Sequence, residues 1–191
     1  MTRKNLDFAD ITRAVAQQLK TLGFKKKGAC WNRSAGVIEV LDLQRSKSLD
    51  MVTLNFGVLD CEVFTNVWGK APRSFVLVAE CTLSARIGQL IDGYDKWFPL
   101  DSPTVLTDIQ GMIESKILPF LVGMRTRESM EEWLDSEGGY MRGYPPSIMS
   151  LALIKSSLGH KAEASALLKQ LNSAKVSAWK LRIDEVSRNI D

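Results

Sequence analysis

The chain has 191 residues, 45% hydrophobic and 25% charged, the balance of an ordinary soluble globular protein long enough to bury a core. A net charge of +3 and a pI near 8.8 fall short of a dedicated DNA-binding domain. The three cysteines, Cys30, Cys61 and Cys81, form no CxxC pair, and an odd number cannot close a disulfide set.

The charge is uneven. Arg3, Lys4, Arg13, Lys20, Lys25, Lys26, Lys27 and Arg33 face only Asp7 and Asp10 in the first 33 residues, whereas Glu128–Glu137 is acidic. Each cysteine lies in or beside an apolar segment, so buried free thiols are expected. The N-terminus has no signal-peptide run and no segment is apolar enough for a membrane span. These features place the protein in the cytoplasm, away from membranes.

In chain order, Phe8, Ile11, Val15, Leu19 and Leu22 fall at helical spacing, with Asp7 as N-cap and Gly23 as C-cap. Lys25–Arg33 reads as a strand, Ser34-Ala35-Gly36 as a turn, and Val37–Arg45 as the antiparallel partner. Met51–Leu59 alternates cleanly, with Val52, Leu54, Phe56 and Val58 opposite Thr53, Asn55 and Gly57. The unbroken run Phe75–Val78 suggests a fourth, central strand over Ser74–Leu83. Between them, CEVFTNVWGKAPR has room for a turn or a short helix.

Helical periodicity then takes over. Ser102-Pro103 reads as a cap for a long helix carrying Val105, Ile109, Ile113, Ile117 and Leu121. Thr126 caps a shorter helix with Met130, Trp133 and Leu134. The loop Gly138–Pro146 is the best linker. It divides the chain into an α+β domain over 1–137 and a helical extension over 146–191, either part of that domain or a unit of its own. In the extension, Leu151, Ala152, Gly159, Ala164 and Leu168 resemble the small and apolar positions of a tetratricopeptide hairpin. With one copy and no repeat aromatics, this is a hairpin and not a solenoid. A last helix carries Val176, Trp179, Ile183, Val186 and Ile190.

Catalytic signatures are missing. His160, the only histidine, sits in a turn beside no nucleophile elbow. One His and three scattered Cys argue against zinc, and there is neither GxGxxG nor GxxxxGK[ST]. No cofactor or metal is expected. Asp92, Asp95 and Asp101 surround a Trp, but loop carboxylates mostly serve solvation.

The ordered blocks LKTLGFKKKGACWNR, VLDLQRSKS, TLNFGV, ECTLSARIGQL and DKWF resemble the domain-of-unknown-function 4304 family over residues 8–125. The matching positions are Gly23-Phe24, Trp31, Gln44, Ser46, Asn55, Gly57, Arg86 and Trp97. The chain departs from the pattern at Phe98, where a second Trp is common, and at Thr82-Leu83-Ser84, where a basic or His-containing stretch is common. The resemblance implies a bacterial α+β domain and no settled activity.

Strand parity adds a candidate site. Gln44 and Ser46 share a face with Asp42, and Asn55 lies opposite the apolar set. With Arg86 and Trp97 they make a recognition set for a small polar ligand or a peptide. The competing reading is that these groups serve strand ends and that Arg86 pairs with Asp95. A second candidate is the basic strip Arg13, Lys20, Lys25, Lys26 and Lys27. By parity in one continuous strand, Lys25 and Lys27 share the face of Trp31. Lysines at a strand start are also a device against edge pairing, and a single-strand binder needs interleaved aromatics that are lacking here.

The sequence therefore predicts an α+β fold: an antiparallel sheet of about four strands, an N-terminal helix packed on it and a helical C-terminal part. The expected function is a non-catalytic binding module whose partner is another protein, of an immunity or regulatory type, or a small polar ligand. The pI counts against an immunity protein for a basic nuclease. Nucleic acid on the basic strip is the second choice, and an enzyme at the sheet face the third.

Overall fold

The computed structural model describes residues 7–91, 93–136, 144–173 and 177–190. Most of the loop Gly138–Pro146, together with Asp92 and Val176, lies outside the described residues. The architecture is α+β, with the N-terminal helix, an antiparallel sheet and C-terminal helices in the expected places. The sheet has six strands rather than four: β1 (Lys25–Lys27), β2 (Cys30–Ala35), β3 (Val37–Arg45), β4 (Met51–Leu59), β5 (Leu83–Arg86) and β6 (Phe98–Pro99). Strands β1 to β5 pair in chain order, and β6 pairs β4 at Met51 and Val52, beyond the end of β5.

Two differences account for the count. The expected first strand is a hairpin, because Gly28 at φ +63° turns the chain between Lys27 and Cys30. That turn changes the parity: Lys26 stands opposite Trp31, while Lys25 and Lys27 stand opposite Asn32 and Cys30. The expected fourth strand is displaced. Residues 75–78 carry the apolar run but lie across the sheet, and the paired strand is β5. Asn32 fixes this segment by mimicking a peptide group: its Oδ1 accepts from the Val76 N–H at 2.7 Å, and its Nδ2 donates to the Val76 carbonyl at 2.9 Å. An apolar run lying over a sheet has the same composition as one inside it.

Helix α1 (Phe8–Lys20) starts at Asp7, whose carboxylate accepts from the Asp10 N–H at 2.7 Å, and stops before Gly23 at φ +84°. Its stripe Ile11, Val15 and Leu19 is fully buried against Leu41, Leu43, Leu54 and Phe56. The same sheet face carries the long helix, which begins two residues later than expected, at Val105 after Thr104. It runs as α4 (Val105–Met112), a π segment (Ile113–Ile117) and α5 (Leu118–Gly123). Pro119 has no N–H to give the Ser115 carbonyl, which accounts for the widened turn. Phe56, Phe120 and Trp133 stack edge to face at 5.3 and 4.8 Å, linking β4, α5 and α6 (Arg127–Asp135).

The opposite sheet face has an apolar cover at one end, while at the other Thr53 is buried under the chain at Lys96. At the first end Cys30, Val40 and Leu59 meet Phe64 of α2 (Cys61–Trp68) and Val76. Gly57 leaves room there for the chain entering β5, since a Cβ at that position would lie 2.6 Å from the Leu83 carbonyl oxygen and 2.9 Å from the Cys81 side chain. The rest of that face, towards Asp42, Gln44 and Asn55, is not in this apolar cluster.

Helices α7 (Pro145–Ser157) and α8 (Lys161–Ser173) form the expected hairpin, with Leu151, Ala152, Ala164 and Leu168 buried. Their buried side chains, with Ile183, Val186 and Ile190 in and after α9 (Lys180–Arg188), are continuous with the sheet core. Lys155 of α7 donates to Glu131 and Asp135 of α6 at 2.9 and 2.6 Å and to Glu163 of α8 at 2.8 Å. Arg182 of α9 donates to the Val67 carbonyl at 2.9 Å and to that of Asn66, capping the end of α2.

Candidate functional site

Antiparallel register builds the site. Lys27, Cys30, Asp42, Asn55 and Arg86 are successive cross-strand partners, one from each of β1 to β5. Cross-strand partners share a face, so a single polar row crosses the sheet. Under the covered end, burial chiefly pushes the Cys30 thiol up to about 12, with Asp42 adding to it. Cys81, beside Gly57, is also pushed up by burial, which disfavours its thiolate as it does that of Cys30. Cys61 departs from the expectation of burial: it is the exposed first residue of α2. All three thiols are free.

At the open end the side chains interlock. The Asn55 Nδ2 donates to Gln44 Oε1 at 2.9 Å and to Asp42 Oδ2 at 3.2 Å. The Arg86 guanidinium donates from Nε to Asn55 Oδ1 at 3.0 Å and from one terminal nitrogen to Gln44 Oε1 at 3.3 Å. Its other terminal nitrogen donates to Asp95 Oδ1 at 2.6 Å. The Trp97 indole N–H donates to Asp95 Oδ2 at 2.9 Å, and the guanidinium lies 5.4 Å from the Trp97 ring centre. The Arg86–Asp95 pair of the competing sequence reading is therefore present, and Gln44, Asn55 and Trp97 are hydrogen-bonded to one or other of its members.

Two carboxylates in this network have opposite electrostatics. The Asp95 carboxyl is held below its usual range by the Arg86 and Trp97 hydrogen bonds. Asp42 is pushed above its usual range by burial, which the Asn55 bond only partly offsets. No ion pair to Asp42 is present among the described residues.

The backbone around the site is fixed. Thr53, fully buried, donates from Oγ1 to the Lys96 carbonyl at 2.6 Å, and β6 follows at once. Gly88 in α3 (Ile87–Ile91) lets the loop 93–97 pass at contact distance, since a Cβ there would fall 1.6 Å from the Tyr94 carbonyl oxygen. Neither Gly88 nor Thr53 was legible as a site residue, because their partners lie in a loop without periodicity.

Of the residues picked from sequence, Gln44, Asn55, Arg86 and Trp97 come together. Ser46 does not join them. The strand ends at Arg45, and the Ser46 hydroxyl instead accepts from the Leu49 N–H at 3.1 Å in the β3–β4 loop. In the basic strip, Lys25, Lys26, Lys27, Arg13 and Lys20 are all exposed. Arg13 pairs with Asp10 at 2.9 Å, Trp31 is in the core, and the ring beside Lys27 is the partly buried Phe75 at 5.9 Å. Asp101 is exposed and outside the network.

A cavity of about 380 Å³ opens elsewhere, lined by Glu62, Asn66, Arg127, Ser156, Ser157 and Asn189 among others. It was not legible in sequence, since four separate elements meet there. Its charges are already matched: Arg127 pairs with Asp60 at 2.9 Å and Glu62 at 2.7 Å, and Asn189 donates to Asn66 at 3.2 Å. Burial pushes the Asp60 carboxyl up, but Arg127 and the α2 N–H groups more than offset that and leave it low. Among the described residues no group of three His, Cys, Asp or Glu side chains is placed to hold a metal ion.

The model of the domain-of-unknown-function 4304 family (DUF4304) matches residues 15–122. The chain belongs to this family. The matched segment contains the whole polar network of this DUF4304 protein, from Asp42 to Trp97, and excludes Arg127, Ser156, Ser157 and Asn189 of the cavity. No curated protein and no solved structure matches the chain.

Proposed function

We propose that this DUF4304 protein is a non-catalytic binding module of the cytoplasm that takes another protein on the open half of its sheet face. One observation carries the reading. A cation, an indole and amide groups are locked together, partly exposed, on the part of the sheet face that lies outside the apolar cluster around Val76. Arg and Trp are the side chains that most often dominate protein interfaces, and here both are oriented before a partner arrives. The half-buried, unpaired Asp42 adds to this, because a raised carboxyl without a cation is a standing cost that folding alone does not require.

Three free cysteines support a reducing compartment, and no described helix is long and apolar enough to cross a membrane. The basic strip lacks an exposed ring for base stacking, which favours the sheet face over a nucleic-acid interface. The test is affinity capture from lysate of the source organism, with nuclease, using wild type and Arg86→Gln. A stoichiometric protein held by wild type and released by Arg86→Gln is expected. Recovery of nucleic acid alone, lost when Lys25, Lys26 and Lys27 become Gln, would overturn the reading.

A further inference from the structure

We infer that Arg86 and Trp97 form a carboxylate-binding site, that the Asp95 side chain fills it in the free protein, and that an acidic side chain of a partner segment displaces Asp95 on binding. This deepens the binding-module reading and rests on it.

The donor geometry selects the ligand. Two edges of the Arg86 guanidinium are spent on neutral amide oxygens, at 3.0 Å to Asn55 and 3.3 Å to Gln44, which fix its plane. An N–H of the other terminal nitrogen and the Trp97 indole N–H reach different oxygens of one carboxylate, at 2.6 and 2.9 Å. One donor for each of two oxygens matches the two acceptors of a planar carboxylate.

The present occupant is exchangeable. The Asp95 side chain is 55% exposed, so leaving the site buries no charge elsewhere. The donors stay behind when it leaves. Arg86 is in β5, and Trp97 lies between the Lys96 carbonyl, held by Thr53, and β6. Only the Asp95 side chain has to rotate. An exposed ion pair contributes little, so exchanging it for an equivalent carboxylate is close to neutral, and the rest of the interface decides affinity. Asp42, along the same row, repels a second acidic group from that side. The acidic side chain is therefore received from the β5 edge.

The test uses fluorescence anisotropy with a labelled hexaglutamate peptide blocked at both ends, against hexaglutamine, at low salt. Asp95→Ala is expected to bind hexaglutamate about two- to fivefold tighter than wild type, the factor by which an exposed internal pair competes. Asp95→Ala combined with Arg86→Gln or with Arg86→Lys should lose that gain, with circular dichroism confirming the fold. No gain in Asp95→Ala, or a gain that survives both Arg86 replacements, overturns the proposal. Inorganic phosphate displacing the peptide better than acetate overturns the choice of carboxylate. The two claims fail separately. Partner capture that needs Arg86, without an Asp95→Ala gain, removes only the exchange. A gain without Arg86-dependent capture removes only the protein-binding reading.

Discussion

The side-chain amide of Asn32 closes two hydrogen bonds on the backbone of Val76, one to its N–H and one to its carbonyl. Both Val76 groups are buried, so the amide takes the part a neighbouring strand would play. Asn32→Ala leaves both without partners and is expected to destabilise the fold by about 2 kcal/mol. Asn32→Asp should recover little, since a carboxylate then faces the Val76 carbonyl. Urea unfolding of the two variants beside wild type checks this. Equal midpoints for Asn32→Ala and wild type would remove the anchoring role.

Asp42 bears a carboxyl raised by burial. A carboxyl raised in the folded state favours folding when protonated and opposes it when ionised. Asp42→Asn keeps an acceptor for Asn55 and is expected to raise the melting temperature at pH 7. The difference should shrink as pH falls towards about 4 and vanish below it, where the unfolded carboxyl is also protonated. A melting temperature unchanged at pH 7 would contradict the burial argument.

The polar network was partly legible because strand parity is. β3 and β4 alternate cleanly, which put Gln44 and Asn55 on one face, and the structure pairs Asp42 with Asn55 across them. Ser46 was misplaced because parity does not tell where a strand stops. The run 75–78 was misread because hydrophobicity gives burial without giving partners, and Asn32, which decides the matter, lies 44 residues away. The Gly28 turn was hidden by three lysines that read as a strand start, so the faces of Lys25 to Lys27 came out inverted. Gly88 and the close passage of the loop 93–97 leave no local pattern at all.

Lys155 joins three helices through Glu131, Asp135 and Glu163 and is itself buried. Lys155→Met preserves the stem but leaves three carboxylates facing one another. It is expected to cost about 2 kcal/mol, below a fully buried pair because Asp135 and Glu163 are half exposed or more. Burial pushes the Glu131 carboxyl up, but the His160 and Lys155 bonds outweigh it and leave it low. A carboxyl lowered in the folded state stabilises above its unfolded value and loses that contribution as pH falls through its folded value. Wild-type stability should therefore drop below about pH 4.5, and Lys155→Met should show a shallower drop. Parallel pH profiles of the two proteins would contradict this.

Lys25, Lys26 and Lys27 are exposed on the edge strand β1. Replacing all three with Thr is expected to change unfolding stability by no more than about 0.5 kcal/mol per site. It should instead promote concentration-dependent association by removing charge from an open edge. Sedimentation velocity separates the outcomes: a variant that stays as monodisperse as wild type would show that the lysines do not protect this edge.

The central claim is that the Arg86 face is the binding surface. The most direct measurement is calorimetric titration of the captured, purified partner against wild type, Arg86→Gln and the triple Lys25, Lys26, Lys27→Gln variant. The expected result is an affinity lowered about 30-fold or more by Arg86→Gln, the scale of a central interface residue, and little changed by the lysine variant. Equal affinity for wild type and Arg86→Gln would place the interface elsewhere and contradict the account.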